Sequence, residues 1–408
     1  MLSWCSRFSI FCFLNNQSYA IQPHHFEGLL AVGTSASITT NDVNELDDFI
    51  SENQWSFGHL GYGLKSKIHH LPIQGYDPSG FAESFFFHPQ HLLVMKPGGM
   101  EIWSSDPGTI FNEINNTPVP LPAPAQDISI KPRLSKEVYL EKIKALQAHI
   151  QRGDCYEINF CQEFYADYAH IDPLDVYLQL SRESPNPFSV FYRVNNSYLM
   201  CASPERYIAK KGDLVLSQPI KGTIGRDLAD QEKDALLGID LRNSLKDQAE
   251  NVMVVDMVRN DLTRICEEAS VKVDELFGIY AFPQVYQMIS TISGKLKENT
   301  RFPEIISATF PMGSMTGAPK RRVMELIDQY EVSPRGIFSG AVGYISPGQD
   351  FDFNVVIRSI MYNASTHYLS YQLGSGITFY SDPEKEWEEC LLKGAAIRKV
   401  LGIKNREA

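Results

Sequence analysis

The sequence predicts an α+β fold, and three observations carry that prediction. Residues 1 to about 105 break into short apolar runs separated by turns, the second half alternates long strands with long helices, and a proline-rich stretch lies between them. A chain of 408 residues, 43% apolar and 21% charged, is also ample for a large buried core.

Taken in order, Phe8 to Leu14 (FSIFCFL) reads as a strand, since seven residues that include Ser9 are too few for the apolar core of a signal peptide. Asn15-Asn16-Gln17 then reads as a turn, and Ser18 to Ile21 as the start of a second strand. Gly28 to Gly33, Phe85 to Phe87 and Leu92 to Met95 are further strands. Thr117 to Pro124 (TPVPLPAP), continuing to Lys131-Pro132, favours extended backbone and marks a crossover or linker. It divides the chain into a β-rich N-terminal subdomain, 1–130, and a core, 131–403. Ser135 caps a helix that runs to Arg152 with Val138, Ile143, Leu146 and Ile150 on its apolar face, and Gly153 stops it. Lys211-Gly212-Asp213 closes a hairpin between Tyr207–Ala209 and Leu214–Leu216. Folding back on that turn brings Glu205 and Lys221 to one side of the sheet, so that a carboxylate and an amine meet there.

Composition excludes several classes. A net charge of −12 is not a nucleic-acid footprint. The seven cysteines are scattered with no C-x-x-C pair, which reads as reduced thiols in a cytoplasmic setting. No stretch reaches the ~20 apolar residues of a membrane span.

The chemistry-bearing segments lie in the second half. Leu245 to Cys266 reads as a long helix on which Asp247 and Glu250 stand three apart, and Ser381-Asp382-Pro383 opens another carrying Glu386 and Glu389 at the same spacing. Either the acids are solvated helix faces, or two helices present carboxylate pairs to one octahedral oxygen-ligand site suited to Mg²⁺, not zinc. Gly313 to Lys320 (GSMTGAPK), with Ser314 and Thr316 at the cap, describes an anion-receiving helix N-terminus, without the spacing of a P-loop. Gly374-Ser375-Gly376 follows a strand pattern and lets backbone N–H groups reach a ligand, and Arg358, on a strand, either grips a carboxylate or pairs with a structural acid.

Together these segments resemble the chorismate-using enzymes: the large subunits of anthranilate synthase and aminodeoxychorismate synthase, and the isochorismate and salicylate synthases. The series runs Gly153 to Asn159 (GDCYEIN), Ala202 to Arg206 (ASPER), Pro219 to Thr223 (PIKGT), Asp247 to Asn251 (DQAEN), Asp256 to Leu262 (DMVRNDL), Gly313 to Lys320, Arg358-Ser359, Gly374 to Gly376 and Ser381 to Lys393. It spans residues 132–400, about two thirds of the chain, and its order and spacing are specific. The resemblance implies one large α/β sandwich of two antiparallel-rich sheets with helices packed outside. Lys221 stands where anthranilate synthases usually carry Ala and aminodeoxychorismate synthases carry Lys. It therefore implies amination of chorismate through a covalent Lys221 intermediate, giving 4-amino-4-deoxychorismate for p-aminobenzoate and folate synthesis.

In that scheme the Lys221 amine must be neutral, through burial or nearby positive charge. Glu205 is the general acid for the departing hydroxyl. By resemblance Glu250 and Glu389 ligate Mg²⁺ directly, and Asp247 and Glu386 do so through water. Thr223, Ser314, Thr316, Arg358, Gly374, Gly376, Lys393 and Glu157 line the substrate pocket. Two positions depart from the pattern: Glu157 replaces the Gln of aminating members and the Lys of water-adding ones, and Gln287 replaces a common His. No G-x-C-x-G glutaminase segment is present, so the resemblance implies ammonia from a separate glutamine amidotransferase subunit, component II. The rival readings are anthranilate synthase component I and a catalytically lapsed scaffold for a glutaminase.

Overall fold

Apolar runs such as Phe11-Cys12-Phe13 put successive side chains on opposite faces of a strand, so a strand of this kind must be covered on both sides. The fold meets that demand with two stacked sheets and an outer layer of helices. It is described from a computed structural model covering residues 1–19, 26–50, 53–73, 75–118 and 128–403. The proline-rich core of the expected linker, 119–127, lies outside the described residues, as do positions 20 and 21 of the strand expected after the first turn. The strand that does pair with Ile10–Asn15 on that side is Gly28–Val32.

Among the described residues the first sheet has eleven strands and the second ten. Across the first run Gly317–Ala318, Glu157–Ala166, Tyr368–Ile377, Ser359–Asn363, Ser197–Ser203, Phe188–Val194, Ile10–Asn15, Gly28–Val32, His91–Lys96 and Gly99–Trp103, with Lys131–Pro132 beside Glu157–Ala166. Across the second run Ile220–Gly225, Val285–Lys295, Leu214–Gln218, Arg206–Lys211, Phe351–Asn354, Ala341–Ile345, Ser56–Leu60, Ser84–His88 and Ala36–Thr39, with Lys272–Ala281 beside Val285–Lys295. Pairing along both is antiparallel. Strands from before residue 103 continue both sheets: Ile10–Asn15 pairs with Phe188–Val194, and Ser56–Leu60 with Ala341–Ile345.

Alternation sorts the side chains. Cys12, Val190, Tyr192 and Leu199 of the first sheet meet Phe57, Phe86, Ile208 and Phe353 of the second in the central core. Phe11, Phe13, Phe191 and Met200 turn outward onto Leu174, Tyr177 and Leu180 of the helix Pro173–Glu183. The helices Lys136–Gln151, Lys320–Tyr330 and Pro383–Lys393 cover Ile158, Phe160 and Ile377 with Tyr139, Ile143, Leu146, Val323, Leu326, Ile327 and Trp387. Ser135 caps the first of these, accepting from the Val138 amide, but Tyr139 is the buried residue of that turn and Val138 is exposed. Among the described residues no helix is long and apolar enough to cross a membrane.

The chain passes between the sheets twice in one place. Ser197–Ser203 ends in the first sheet and Arg206–Lys211 starts in the second, leaving Pro204 and Glu205 at the crossing. Phe351–Asn354 and Ser359–Asn363 make the reverse crossing through 355–358. The crossings are bonded side by side: the Val355 amide donates to the Glu205 carbonyl (3.0 Å) and the Ala202 amide to the Arg358 carbonyl (3.2 Å). Arg358, expected on a strand, thus sits just before one, at φ +50°. That left-handed backbone is uncommon for a side chain of its bulk.

A buried arginine ties this region together. Arg335 donates to both oxygens of Glu331 (2.7 and 2.9 Å), to the Met315 carbonyl (2.7 Å) and to the Asn159 carbonyl (2.8 Å), while Glu331 also accepts from the Cys161 amide. Replacing Arg335 by leucine strands the Glu331 carboxylate in the interior and is expected to cost ~3–5 kcal/mol. Chemical denaturation of the two proteins checks this, and a loss under ~1 kcal/mol would show that water or a shifted cation fills the gap.

Candidate active site

Pro219-Ile220-Lys221-Gly222-Thr223 forms the outer strand of the second sheet, and its ladder to Val285–Lys295 slips between Ile220 and Thr223. Such a slip re-aims a side chain. Here it is made at Gly222, whose φ is +94° and whose missing Cβ would stand 3.1 Å from the side chain of Asp247. A side chain at 222 would meet both penalties, which accounts for the glycine after the lysine. Asn251, buried on the helix Leu245–Thr263, holds the Lys221 carbonyl through Nδ2 (3.4 Å) and accepts from Ser290 Oγ (2.6 Å).

So directed, Lys221 Nζ donates to Glu157 Oε1, at the first residue of a strand in the other sheet. Glu157 is 3% exposed, and its Oε2 is buried with no hydrogen-bond partner. Gly376, within the neighbouring strand, closes over the pair: a Cβ there would lie 2.5 Å from Glu157 Oε1 and 2.8 Å from Lys221 Nζ. Gly376→Ala is therefore expected to separate the pair and lower turnover by an order of magnitude or more, at ~1–3 kcal/mol of stability. Steady-state kinetics beside thermal unfolding check it.

Burial pulls the Lys221 amine down, but Glu157, Glu250 and Glu205 outweigh it and hold the group above the ordinary lysine range. Carboxylates thus surround the lysine, and burial by itself does not bring the amine down as the covalent route asks. Glu205, 4% exposed, is pushed up to about 7 by burial, against the opposing pull of the Ser314 hydroxyl, the Ile220 amide, Lys221 and Arg358. Arg358 is lowered to about 10 by burial, with Glu205 opposing. No hydrogen bond or ion pair of its guanidinium is found among the described residues, and Glu205 is the carboxyl whose charge bears on it, so the fork can take a ligand.

The remaining pocket residues divide. Ser314 lies in the 3₁₀ turn Gly313–Met315 on the Glu205 side. Thr316 is wholly buried with its hydroxyl turned back to the Met312 and Gly313 carbonyls. Neither caps a helix: Gly317–Ala318 pairs with Glu157–Ile158 as a short extended strand, so the helix starts only at Lys320. Gly374 and Gly376 likewise lie inside Tyr368–Ile377, not after it. Gly374 faces Cys161 across the ladder and gives its carbonyl to Lys393 Nζ (3.0 Å). Thr223 is exposed, opposite Gln287, which is buried with Oε1 unpartnered.

The acid pairs stand on the two helices as expected, Asp247 and Glu250 on Leu245–Thr263 and Glu386 and Glu389 on Pro383–Lys393, the latter capped by Asp382. Among the described residues no three carboxylate, histidine or cysteine groups gather closely enough to hold a metal ion by themselves. Lysines attend the acids: Lys246 is 3.8 Å from Glu250, and Lys393 is 2.8 Å from Glu389. Glu389 is held below the usual carboxylate range: its burial is outweighed by Lys393, Lys246 and Lys221. Glu250 is instead pushed up to about 7, by burial and by Glu157 and Asp247, despite Lys221 and Lys246. Carboxylates from two helices, with the Lys246 charge bearing on both Glu250 and Glu389, are the oxygen donors a hard cation such as Mg²⁺ takes beside water and substrate.

Residues 17–399 match the family model described as chorismate binding enzyme. The chain belongs to the chorismate binding enzyme family. Aminodeoxychorismate synthase component 1 of Klebsiella aerogenes is 40% identical over 256 residues, 63% of this chain and 56% of that protein. The Escherichia coli protein of the same name is 37% identical over 283 residues, 68% and 62% of the respective lengths. The matched region thus spans little more than half of these relatives. Among solved structures, anthranilate synthase component I from Streptococcus pneumoniae superposes with a TM-score of 0.82 at 24% identity, covering 95% of each chain. The menaquinone-specific isochorismate synthase of Escherichia coli gives 0.78 at 18%, covering 98% of this chain and 91% of that one. These likenesses carry the fold: the sandwich of two antiparallel sheets expected from the resemblance is the family's architecture.

Within this member of the chorismate binding enzyme family, sequence reasoning missed three contributors. Asn251 braces the lysine backbone, Lys246 places its charge on both Glu250 and Glu389, and Arg335 with Glu331 bolts the 313–316 turn to the Glu157 strand. A signal existed for the first: a polar side chain one turn before Val254 and Val255 on the helix's buried side.

Proposed function

We propose that the chain aminates chorismate at C4, yielding 4-amino-4-deoxychorismate with the enolpyruvyl group retained. Its curated relatives bear the name of that synthase. The observation that carries the reading is the Lys221 amine, braced from behind and delivered between the sheets beside the carboxyl of Glu205.

Lys221 attacks C2 of the ring, the double bonds shift, and the C4 hydroxyl departs. Hydroxide leaves poorly, so Glu205, carrying its proton near neutral pH, supplies it and water is released. Ammonia then adds at C4, the double bonds return and Lys221 is expelled. The unpaired Arg358 fork takes a substrate carboxylate, and Lys393 adds positive charge at the Gly374 edge. Glu250 and Glu389, backed by Asp247 and Glu386, would hold Mg²⁺, which when bound neutralises the ring carboxylate of the substrate. On this reading ammonia comes from a separate glutaminase, and the component 1 name of the relatives fits a chain that works with a second component.

Mass spectrometry of the product formed from chorismate, Mg²⁺ and ammonium, with no glutaminase added, tests this. The expected product is aminodeoxychorismate without pyruvate. Fluorescent anthranilate with stoichiometric pyruvate would instead make the chain an anthranilate synthase, and no turnover with intact chorismate binding would make it a scaffold.

A further inference from the structure

We propose that Glu157 is the proton acceptor and store for Lys221: it takes the ammonium proton as the amine becomes a nucleophile and returns it when the amine leaves. The inference rests on the covalent route just described and adds a residue to it.

Four features of the site point this way. Glu157 Oε1 is the direct hydrogen-bond partner of Lys221 Nζ, so the proton has no distance to cross. The pair is sheltered, with Glu157 almost wholly buried, Lys221 largely covered and Gly376 packed against both groups. Glu157 Oε2 is buried and has no hydrogen-bond partner, so Lys221 is the group this carboxyl engages. The charges that bear most on the amine are those of acids, Glu157 from one sheet, Glu250 from the helix and Glu205 from the crossing. Glu205 already carries the proton for the leaving hydroxyl, and Glu250 lies further from the amine than Glu157 does.

The step balances. Lysine ammonium, Glu157 carboxylate, protonated Glu205 and chorismate give the C2-bonded secondary ammonium, protonated Glu157, Glu205 carboxylate and water. In the second half ammonia bonds to C4 and the C2–N bond breaks. Lys221 leaves as a neutral amine and regains its proton from Glu157, and the new C4 ammonium gives its extra proton to Glu205. Both acids end as they began. In this chain the acceptor is in hydrogen-bond contact with the nucleophile.

The first half-reaction isolates the claim. Wild-type protein mixed with chorismate and Mg²⁺ without ammonium should accumulate an adduct of chorismate less one water on Lys221, read by intact mass and peptide mapping. In Glu157→Gln, which keeps size and hydrogen bonding, adduct formation should slow by about tenfold or more while chorismate affinity holds within about threefold, and Glu157→Asp should recover part of the rate. An unchanged adduct rate in Glu157→Gln overturns the proposal, and so does equal loss in both variants with weakened chorismate binding, which marks a purely structural residue. Failure of the parent reading looks different: wild type turning over with ammonium yet never forming an adduct, and Lys221→Ala retaining that turnover.

Discussion

Lys221→Ala is expected to lower chorismate amination on the order of 10³-fold or more, the largest single effect, because it deletes the atom that bonds to the substrate. The same change removes a positive charge that bears on Glu157, Glu250 and Glu205 and so also weakens the binding of an anionic substrate. Lys221→Arg separates the two effects. It restores the charge and a partner for Glu157, yet a guanidinium stays protonated and does not attack carbon. Both variants should therefore be inactive in rapid-quench assays with ammonium, while the arginine protein keeps the wild-type melting temperature more closely. Turnover in Lys221→Ala that equals wild type would end the covalent scheme. The acidic surroundings hold the amine above the ordinary lysine range, so the covalent route calls for a group in the site that takes its proton.

Much of this was legible before any coordinates. Short apolar runs announced strands such as Ile10–Asn15 and Gly28–Val32, and the Ser135 cap and the Asp382-Pro383 start marked two helices where they are found. The Lys211-Gly212-Asp213 turn correctly implied that Glu205 and Lys221 approach one another. The errors share a cause. Ser314 and Thr316 have cap chemistry, but Gly317 and Ala318 spend their backbone on the Glu157 strand, and a helix cannot begin until that pairing ends. Gly374 and Gly376 have loop chemistry, but they are small because Cys161, Glu157 and Lys221 crowd them within a continuous ladder. Local propensity was overridden by partners more than a hundred residues away.

Charge was the hardest quantity to read. The covalent route asks for a neutral lysine, whereas the balance between burial and three carboxylates depends on which elements converge at the crossings of the two sheets. Arg335 illustrates the same limit. Its spacing from Glu331 suggests a surface pair, and only the fold buries it beneath the turn that carries Ser314.

Glu205→Gln is expected to remove about 10²–10⁴-fold of the rate, since an amide cannot protonate the departing hydroxyl. The pH dependence has a definite sign. With its carboxyl pushed up to about 7 by burial, the free enzyme holds the proton below that value and loses it above, so kcat/KM should fall as pH rises through about 7. Stability moves in the same direction. An unfolded glutamate releases its proton near 4.5 and the folded one near 7, so between those values the native state binds more protons and stability declines with rising pH. The amide variant escapes that decline. Glu205→Gln should therefore match wild type at pH 4 and exceed it by ~2–3 kcal/mol at pH 8, while being nearly inactive at both. Denaturant melts of the two proteins across that range, beside their pH–rate profiles, give the comparison, and the difference between them cancels the parallel contribution of Glu250. A variant that gains nothing at pH 8 would mean that Glu205 is already ionised in the folded protein, and a group without its proton cannot be the acid. The carboxyl that destabilises the folded chain at neutral pH is thus the one the reaction needs, and activity and stability at this position should trade against each other.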